Sequence, residues 1–188
     1  MEPALIEQAQ RGDSEAFDAI VRRKVQAVYG TALAILGSEA DAQDAVQEAF
    51  VSAWRSIRGL RDPSRFDAWF GRILVNACRA TLRRRRGIRE ISMSAEAGHP
   101  GNFEQADAHV ELSDPAPALA SVAAGADRFD RAFARLGVDD RALLVLRHRD
   151  DLAVSEMAER LGIPGGTVKS RLFAARRALE RALELEDR

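Results

Sequence analysis

The chain has 188 residues, of which 46% are hydrophobic and 6% aromatic, and its formal net charge is -1. This length suits one middling domain or two small ones, and a composition rich in Ala, Leu and Arg favours helix over strand. No apolar run approaches the roughly 20 residues of a membrane-spanning helix, the polar N-terminus carries no secretion signal, and a lone cysteine excludes an internal disulfide. We expect a soluble, cytoplasmic, all-α protein of two small helical domains, with no membrane insertion.

Charge is distributed unevenly along the chain. Residues 87–126 carry six acidic residues against one arginine, and glycines and prolines interrupt any helical period there. Such a length without structure is ordinary between two domains and unusual inside one. We therefore predict a flexible acidic linker over 87–126, which joins one domain at 1–86 to another at 127–188.

The first two helices predicted in the first domain precede its arginine-rich part. Apolar residues recur at helical spacing from Phe17 to Tyr29, and the helix that they define ends near Gly37. Ser38 is a suitable cap for the second helix, whose buried face is predicted to include Trp54.

The opposite side of this second helix carries a row of polar residues that we call the acidic strip. Its spacing places three carboxylates on one exposed face. Most such strips are merely solvated, so the residues alone leave binding as the minority interpretation. The acidic strip consists of Asp41, Asp44, Gln47 and Glu48.

Arginines are concentrated over residues 55–86, which hold ten of them against two aspartates. Turn-forming residues predict a loop over 58–65, and Ser64 is predicted to cap a helix that buries Trp69 and Phe70. The basic groups of the loop and of the exposed helix face suit contacts to phosphates and base edges, although a solvated basic helix end is the alternative. We call these candidates the arginine face: Arg58, Arg61, Arg65, Arg72, Asn76, Arg79 and Arg83.

A helix-turn-helix pattern is the main feature of the second domain. Asp139 is predicted to cap an earlier helix, and Ala158, Gly162 and Val168 then occupy the small, turn and apolar positions of the pattern, with Pro164 opening the second helix. An ordinary helical hairpin is the alternative, but spacing, turn chemistry and outward basic residues together favour a reader of the major groove. The predicted reader residues are Thr167, Lys169, Ser170, Phe173, Arg176 and Arg177.

Two segments resemble extracytoplasmic-function sigma factors of the sigma-70 family. The string from Asp41 to Phe50, followed by Trp54, resembles their polymerase-binding helix, and the string from Gly165 to Leu172 resembles their recognition helix. The resemblance implies a dissociable subunit that binds core RNA polymerase and directs promoter recognition, strand opening and transcription initiation. The first domain would then be sigma region 2 and the second sigma region 4.

The same resemblance implies a role for each candidate set. The acidic strip would contact the β′ clamp of polymerase, the arginine face would bind and help melt the minus-10 element, and the reader residues would contact duplex DNA at the minus-35 element. The implied partners are core polymerase, through the β′ clamp and the β flap, promoter DNA and an anti-sigma factor. Ala174 replaces a longer polar residue that is frequent in the family, which leaves the minus-35 contacts open.

Two other classes of protein are the alternatives. A stand-alone helix-turn-helix regulator would explain residues 127–182 but would leave the acidic strip without a role. An enzyme has little support, because His99, His109 and His148 are scattered and the chain has no phosphate loop or paired-ligand spacing. Cys78 is best interpreted as a small buried hydrophobic residue. We expect no catalytic, metal or cofactor site.

Overall fold

This computed structural model describes residues 2–96 and 117–186, which contain eight α-helices. Side chains are described for residues 2–85 and 125–186. These residues contain no strand, so the predicted all-α fold is confirmed. Helices α1–α4 form the N-terminal domain and α5–α8 the C-terminal domain. The helices are α1 (Pro3–Gln10), α2 (Ser14–Leu36), α3 (Glu39–Ser56), α4 (Phe66–Glu96), α5 (Pro117–Ala134), α6 (Val138–His148), α7 (Val154–Leu161) and α8 (Gly165–Glu186).

Side-chain and glycine caps define the first long helix. The carboxylate of Asp13 accepts the backbone N–H groups of Glu15 and Ala16 at 3.0 and 3.1 Å, which begins α2. The helix ends where Gly37 adopts φ 70°, a left-handed conformation that glycine tolerates without a steric penalty. The predicted end of this helix is confirmed.

The predicted core face of α3 is confirmed except for Trp54. Ser38 caps the helix, since its hydroxyl oxygen accepts the backbone N–H of Asp41 at 3.4 Å. Trp54 packs one side of its ring against Phe17, with ring centroids 4.9 Å apart, and leaves 38% of the residue exposed. Its prediction as a core residue is therefore wrong, because it covers the edge of the core instead of filling it.

The predicted loop after α3 contains two short 3-10 turns, Ile57–Gly59 and Pro63–Arg65. The cap of the second turn is Asp62 and not Ser64, which corrects the prediction. Asp62 Oδ1 accepts both the backbone N–H and the hydroxyl of Ser64, at 2.9 and 2.6 Å. These two hydrogen bonds lower the pKa of Asp62 below its usual value because they favour the ionised carboxylate.

Helix extends into both ends of the predicted linker. Helix α4 continues to Glu96 and α5 begins at Pro117, while residues 97–116 lie outside the described part of the chain. Gly87 alone does not end α4, because a single glycine lowers helix propensity without preventing the hydrogen bonds. The linker limits of 87–126 therefore do not coincide with the ends of the helices.

The C-terminal domain contains the predicted helix-turn-helix. Gly162 has φ 67° and joins α7 to α8, and Met157 and Val168 are fully buried where the two helices cross. One prediction about α6 is wrong: its N-cap is Gly137, and Asp139 lies within the first turn. A carboxylate there still favours the positive end of the helix dipole.

The two domains pack against each other. Helix α4 lies along α7 and touches α6, and α2 also packs on α6. A buried arginine, Arg141, donates from Nη1 to the backbone oxygen of Leu36 at 3.4 Å and so ties α6 to the end of α2. This closed arrangement decides which candidate surfaces are open to solvent.

Candidate protein and nucleic-acid interfaces

The acidic strip lies on the solvent side of α3, beside the far end of α4. Asp44, Gln47 and Glu48 are exposed, as their helical spacing predicts. Asp41 differs from them, because Arg85 Nη1 donates to its Oδ2 at 2.8 Å and its side chain is only 19% exposed. The strip therefore offers three open polar groups and one carboxylate that is already neutralised.

An apolar ridge adjoins the strip and was missed in the sequence. Val51 and Trp54 follow Glu48 along α3, and they are 37% and 38% exposed. Val51 borders two clefts, a polar one of about 490 Å³ beside the strip and an apolar one of about 350 Å³ beside Phe17. The helical spacing of Val51 from Glu48 was the available signal, since it places the valine on the exposed side.

The arginine face is divided between solvent and the C-terminal domain. Four of its seven members are exposed and form no hydrogen bond or ion pair with the described residues of the C-terminal domain. The other three, Arg65, Arg72 and Arg79, form hydrogen bonds or ion pairs with that domain, although Arg65 and Arg72 remain exposed. The four open members are Arg58, Arg61, Asn76 and Arg83.

Two acidic residues of the C-terminal domain, Glu159 and Asp139, accept hydrogen bonds from these three arginines. Glu159 on α7 accepts from Arg65 Nη2 at 2.9 Å through its carboxylate and from Arg72 Nη2 at 2.9 Å through its backbone oxygen. Asp139 on α6 accepts from Arg79 Nε at 2.6 Å. A charged hydrogen bond of this kind is directional, so each of these guanidinium groups has one side oriented toward the C-terminal domain.

The reader residues occupy the exposed side of α8. Lys169, Ser170 and Arg177 are exposed, and Phe173 is 63% exposed, which is unusual for a phenylalanine in a folded domain. Arg176 is exposed and lies 3.4 Å from a ring nitrogen of His148, and Thr167 is half-buried in the first turn. Ala174 is exposed among them and supplies only a methyl group.

The described residues hold no group of histidine, cysteine and acidic side chains that could bind a metal ion. Cys78 is fully buried, and burial raises the pKa of its thiol to about 12, so it carries no thiolate near neutral pH. None of the helices in the described ranges is long and apolar enough to cross a membrane. His99 and His109 lie outside these ranges.

Comparison with known families matches both domains. Residues 20–88 match the model of sigma-70 region 2, and residues 126–179 match that of sigma-70 region 4. The chain therefore belongs to the sigma-70 family. Because the region 2 match covers the domain that a stand-alone helix-turn-helix regulator would leave unexplained, that alternative is not supported.

Curated relatives place the chain among the extracytoplasmic-function members of the family. It is 34% identical to the ECF RNA polymerase sigma-E factor of Escherichia coli over 180 residues, which span 96% of this chain and 93% of that one. It is 32% identical to the RNA polymerase sigma-H factor of Pseudomonas aeruginosa, over 96% of this chain and 92% of the relative. The chain is thus a sigma factor of the extracytoplasmic-function type, as the resemblance implied.

Solved structures share the fold. CnrH, solved in complex with the cytosolic domain of CnrY, superposes with a TM-score of 0.63 at 27% identity and covers 97% of both chains. The sigma factor RpoE of Bartonella quintana, solved in complex with the anti-sigma factor NepR, gives a TM-score of 0.61 at 23% identity, over 89% of this chain and 96% of its own. The second likeness bears on the fold alone.

Proposed function

We propose that this sigma factor binds core RNA polymerase through the acidic strip and contacts promoter DNA with both domains. The observation that carries the polymerase assignment is the open state of Asp44, Gln47 and Glu48, next to the exposed Val51. An interface needs apolar area for affinity and charges for orientation, and this face of α3 offers both side by side. The strip would meet the β′ clamp.

Strand opening is assigned to the arginine face. Unstacking a base costs a few kcal/mol, so the protein must offer contacts that only an open strand can use. Guanidinium groups on α4 and the preceding loop would bind phosphates, while the Asn76 amide can pair with a base edge. Three of these groups, Arg65, Arg72 and Arg79, are hydrogen-bonded to Glu159 or Asp139 in this structure and would exchange those partners for the strand.

Duplex recognition at the minus-35 element is assigned to α8. The exposed side chains of Lys169 and Arg177 suit phosphates or guanine edges, and the exposed Phe173 ring suits a thymine methyl group. As a promoter-binding subunit, the protein would work in the cytoplasm, by differential binding and without catalysing a reaction. The β flap would hold the C-terminal domain over this element.

An anti-sigma factor is the further partner that we propose. Support comes from an apolar cleft of about 630 Å³ lined by α5, α6 and α8. Phe129 is 44% exposed at its rim and stacks on Phe133, with ring centroids 5.6 Å apart. An exposed aromatic pair beside a concave apolar surface suits an amphipathic helix, and the related CnrH was solved in complex with the cytosolic domain of a second protein, CnrY.

Charge reversal on α3 tests the function. The variant Asp44→Lys/Glu48→Lys should lose core polymerase in a pull-down and lose transcription in vitro over a genomic promoter pool. Its melting temperature should stay near that of the parent chain, because both positions are exposed. Retained polymerase affinity would refute the assignment of the strip.

The control variant is Glu180→Lys, which reverses one exposed charge on α8, away from the strip. It should leave polymerase binding through α3 unchanged. A similar loss in the control would mean that net charge alone, and not the acidic strip, determines the affinity.

A further inference from the structure

We propose that Gln10, on the first helix, is a positioning residue for promoter opening: its amide holds the loop 58–65 in the conformation that captures the opened DNA strand. The inference rests on the proposed function, since it takes the arginines of this loop as contacts to that strand. Gln10 precedes the part of the chain that matches sigma-70 region 2, which begins at residue 20. The proposal therefore adds α1 to the parts of the protein that act on the strand.

The first observation is a pair of hydrogen bonds from α1 to the backbone at the start of the loop. The half-buried Gln10 donates from Nε2 to the backbone oxygen of Ile57 at 3.1 Å and to that of Leu60 at 2.6 Å. An amide nitrogen carries two hydrogens, so it can serve both acceptors. The two acceptors lie on either side of Arg58, and the second immediately precedes Arg61. One side chain therefore fixes the backbone from which both arginines extend.

The second observation is that the turn between α1 and α2 supports the side chain of Arg58. Gly12 lies in this turn, and a Cβ atom placed on it would be 3.0 Å from Nη2 of Arg58. A contact this close would displace the guanidinium, so the absence of a side chain at position 12 makes room for it. Arg58 itself is exposed, and a phosphate can reach it. The segment that holds its backbone thus also guides its charged group.

The loop is held at both ends. Gln10 acts from a fixed base, because Ile6 and Ala9 of the same helix are buried in the core. At the other end of the loop, Asp62 accepts two hydrogen bonds from Ser64. The arginines therefore extend from a backbone that is set before DNA arrives. The strand is then spared the entropy cost of ordering the loop when it binds.

The chemistry of a glutamine suits a position beside several arginines. A carboxylate at position 10 could not donate to two carbonyl oxygens, and it would attract the guanidinium groups that a phosphate has to bind. A lysine could donate, but it would add a positive charge next to a loop that already carries three. A neutral amide holds the backbone without competing with DNA for the arginines.

The test replaces the donor by an acceptor of the same shape. In Gln10→Glu a carboxylate faces two carbonyl oxygens, so the loop should lose its anchor. Holoenzyme is assembled from core polymerase and the full chain, on the promoter of the genomic pool that the parent chain transcribes most strongly. Permanganate reactivity of unpaired thymines then follows strand opening. Gln10→Glu should slow opening about tenfold and leave the affinity for core polymerase unchanged, because only the loop is released.

Two matched controls separate loop geometry from charge and from stability. Gln8→Glu makes the same exchange at an exposed position of α1, and it should open the promoter at the parent rate. Ile35→Val removes one methyl group from the core near the far end of α2, and it should keep the parent rate at a temperature where every variant is folded. An equal slowing in either control would assign the defect to charge or to stability and would overturn the role of Gln10.

A double-mutant cycle separates this proposal from the function on which it rests. Arg58→Ala/Arg61→Ala should itself slow opening, and adding Gln10→Glu should slow it no further, because Gln10 acts through these arginines. A parent-like rate in Arg58→Ala/Arg61→Ala would refute the strand contact of the loop, and with it both proposals. If that variant is slow, a parent-like rate in Gln10→Glu alone, or a full further loss on combining the changes, would overturn only the role of Gln10.

Discussion

Arg85, in the second half of the long helix α4, donates from Nη1 to Oδ2 of Asp41 at 2.8 Å. An arginine of the N-terminal domain thereby covers one of the four residues of its own acidic strip. The carboxylates of Asp44 and Glu48, on the same helix, face solvent and form no ion pair with any residue whose side chain the structure describes. The four members of the strip are therefore electrostatically unequal.

This inequality predicts a rank order for polymerase binding. Asp44→Asn should weaken affinity for core polymerase about tenfold, whereas Asp41→Asn should change it about twofold, because Asp41 must first give up Arg85 to meet another cation. Titration of labelled core polymerase with each variant measures both affinities. Equal losses would mean that Arg85 leaves Asp41 on binding at no cost.

Exposed positions of α8 predict which cations read the minus-35 element. Lys169→Ala should weaken binding of a minus-35 duplex about tenfold and reduce the salt dependence of the affinity, because a phosphate or base-edge contact is lost. Arg171→Ala is the matched control, since Arg171 lies on the flank of α8 that borders α6. A greater loss of affinity for Arg171→Ala than for Lys169→Ala would mean that DNA contacts the side of α8 that borders α6, which contradicts the assignment.

Burial of Cys78 predicts both its reactivity and a pH dependence. Iodoacetamide should modify the thiol at pH 8 only after denaturation, as mass spectrometry would show. The folded pKa of about 12 lies above the ordinary 9.0, so burial of the neutral thiol contributes stability that is complete below pH 9 and is lost as pH rises toward 12. Cys78→Ala should flatten this part of the stability curve, and modification of the native chain at pH 8 would contradict the burial.

The cap of α2 predicts a local stability effect. Asp13→Ala removes an acceptor for two backbone N–H groups and should lower the free energy of unfolding by about 1 kcal/mol. Chemical denaturation followed by circular dichroism measures the change. Asp13→Asn, which keeps an acceptor oxygen, should recover most of it, and equal losses in the two variants would argue against capping.

Local sequence signals predicted the individual elements well. The glycine at position 37, the serine at 38 and the turn at Gly162 each act within one helical turn, so their effect could be derived from neighbouring residues. The prediction that Ser64 caps a helix is wrong for an equally local reason. Asp62, two residues earlier, is a stronger acceptor and accepts a hydrogen bond from the serine hydroxyl.

Relationships between the domains could not be predicted in this way. No residue within one turn of Arg79 indicates that its hydrogen-bond partner is Asp139, which lies 60 residues further along the chain. Helical periodicity assigns a residue to a face, but it does not say whether water, DNA or the other domain meets that face. The exposed Trp54 shows the same limit, because an apolar residue at the border of a stripe fits either the core or a partner surface.

Helices α3 and α4 differ in how freely their proposed binding surfaces can meet a partner. The acidic strip is open in the closed chain, while Arg65, Arg72 and Arg79 are hydrogen-bonded to the C-terminal domain. Under the proposed roles, polymerase would meet a surface that is ready for it, whereas these three arginines would have to exchange partners before they could contact a promoter strand. Free subunits would then be more available to polymerase than to the strand that the assembled enzyme opens.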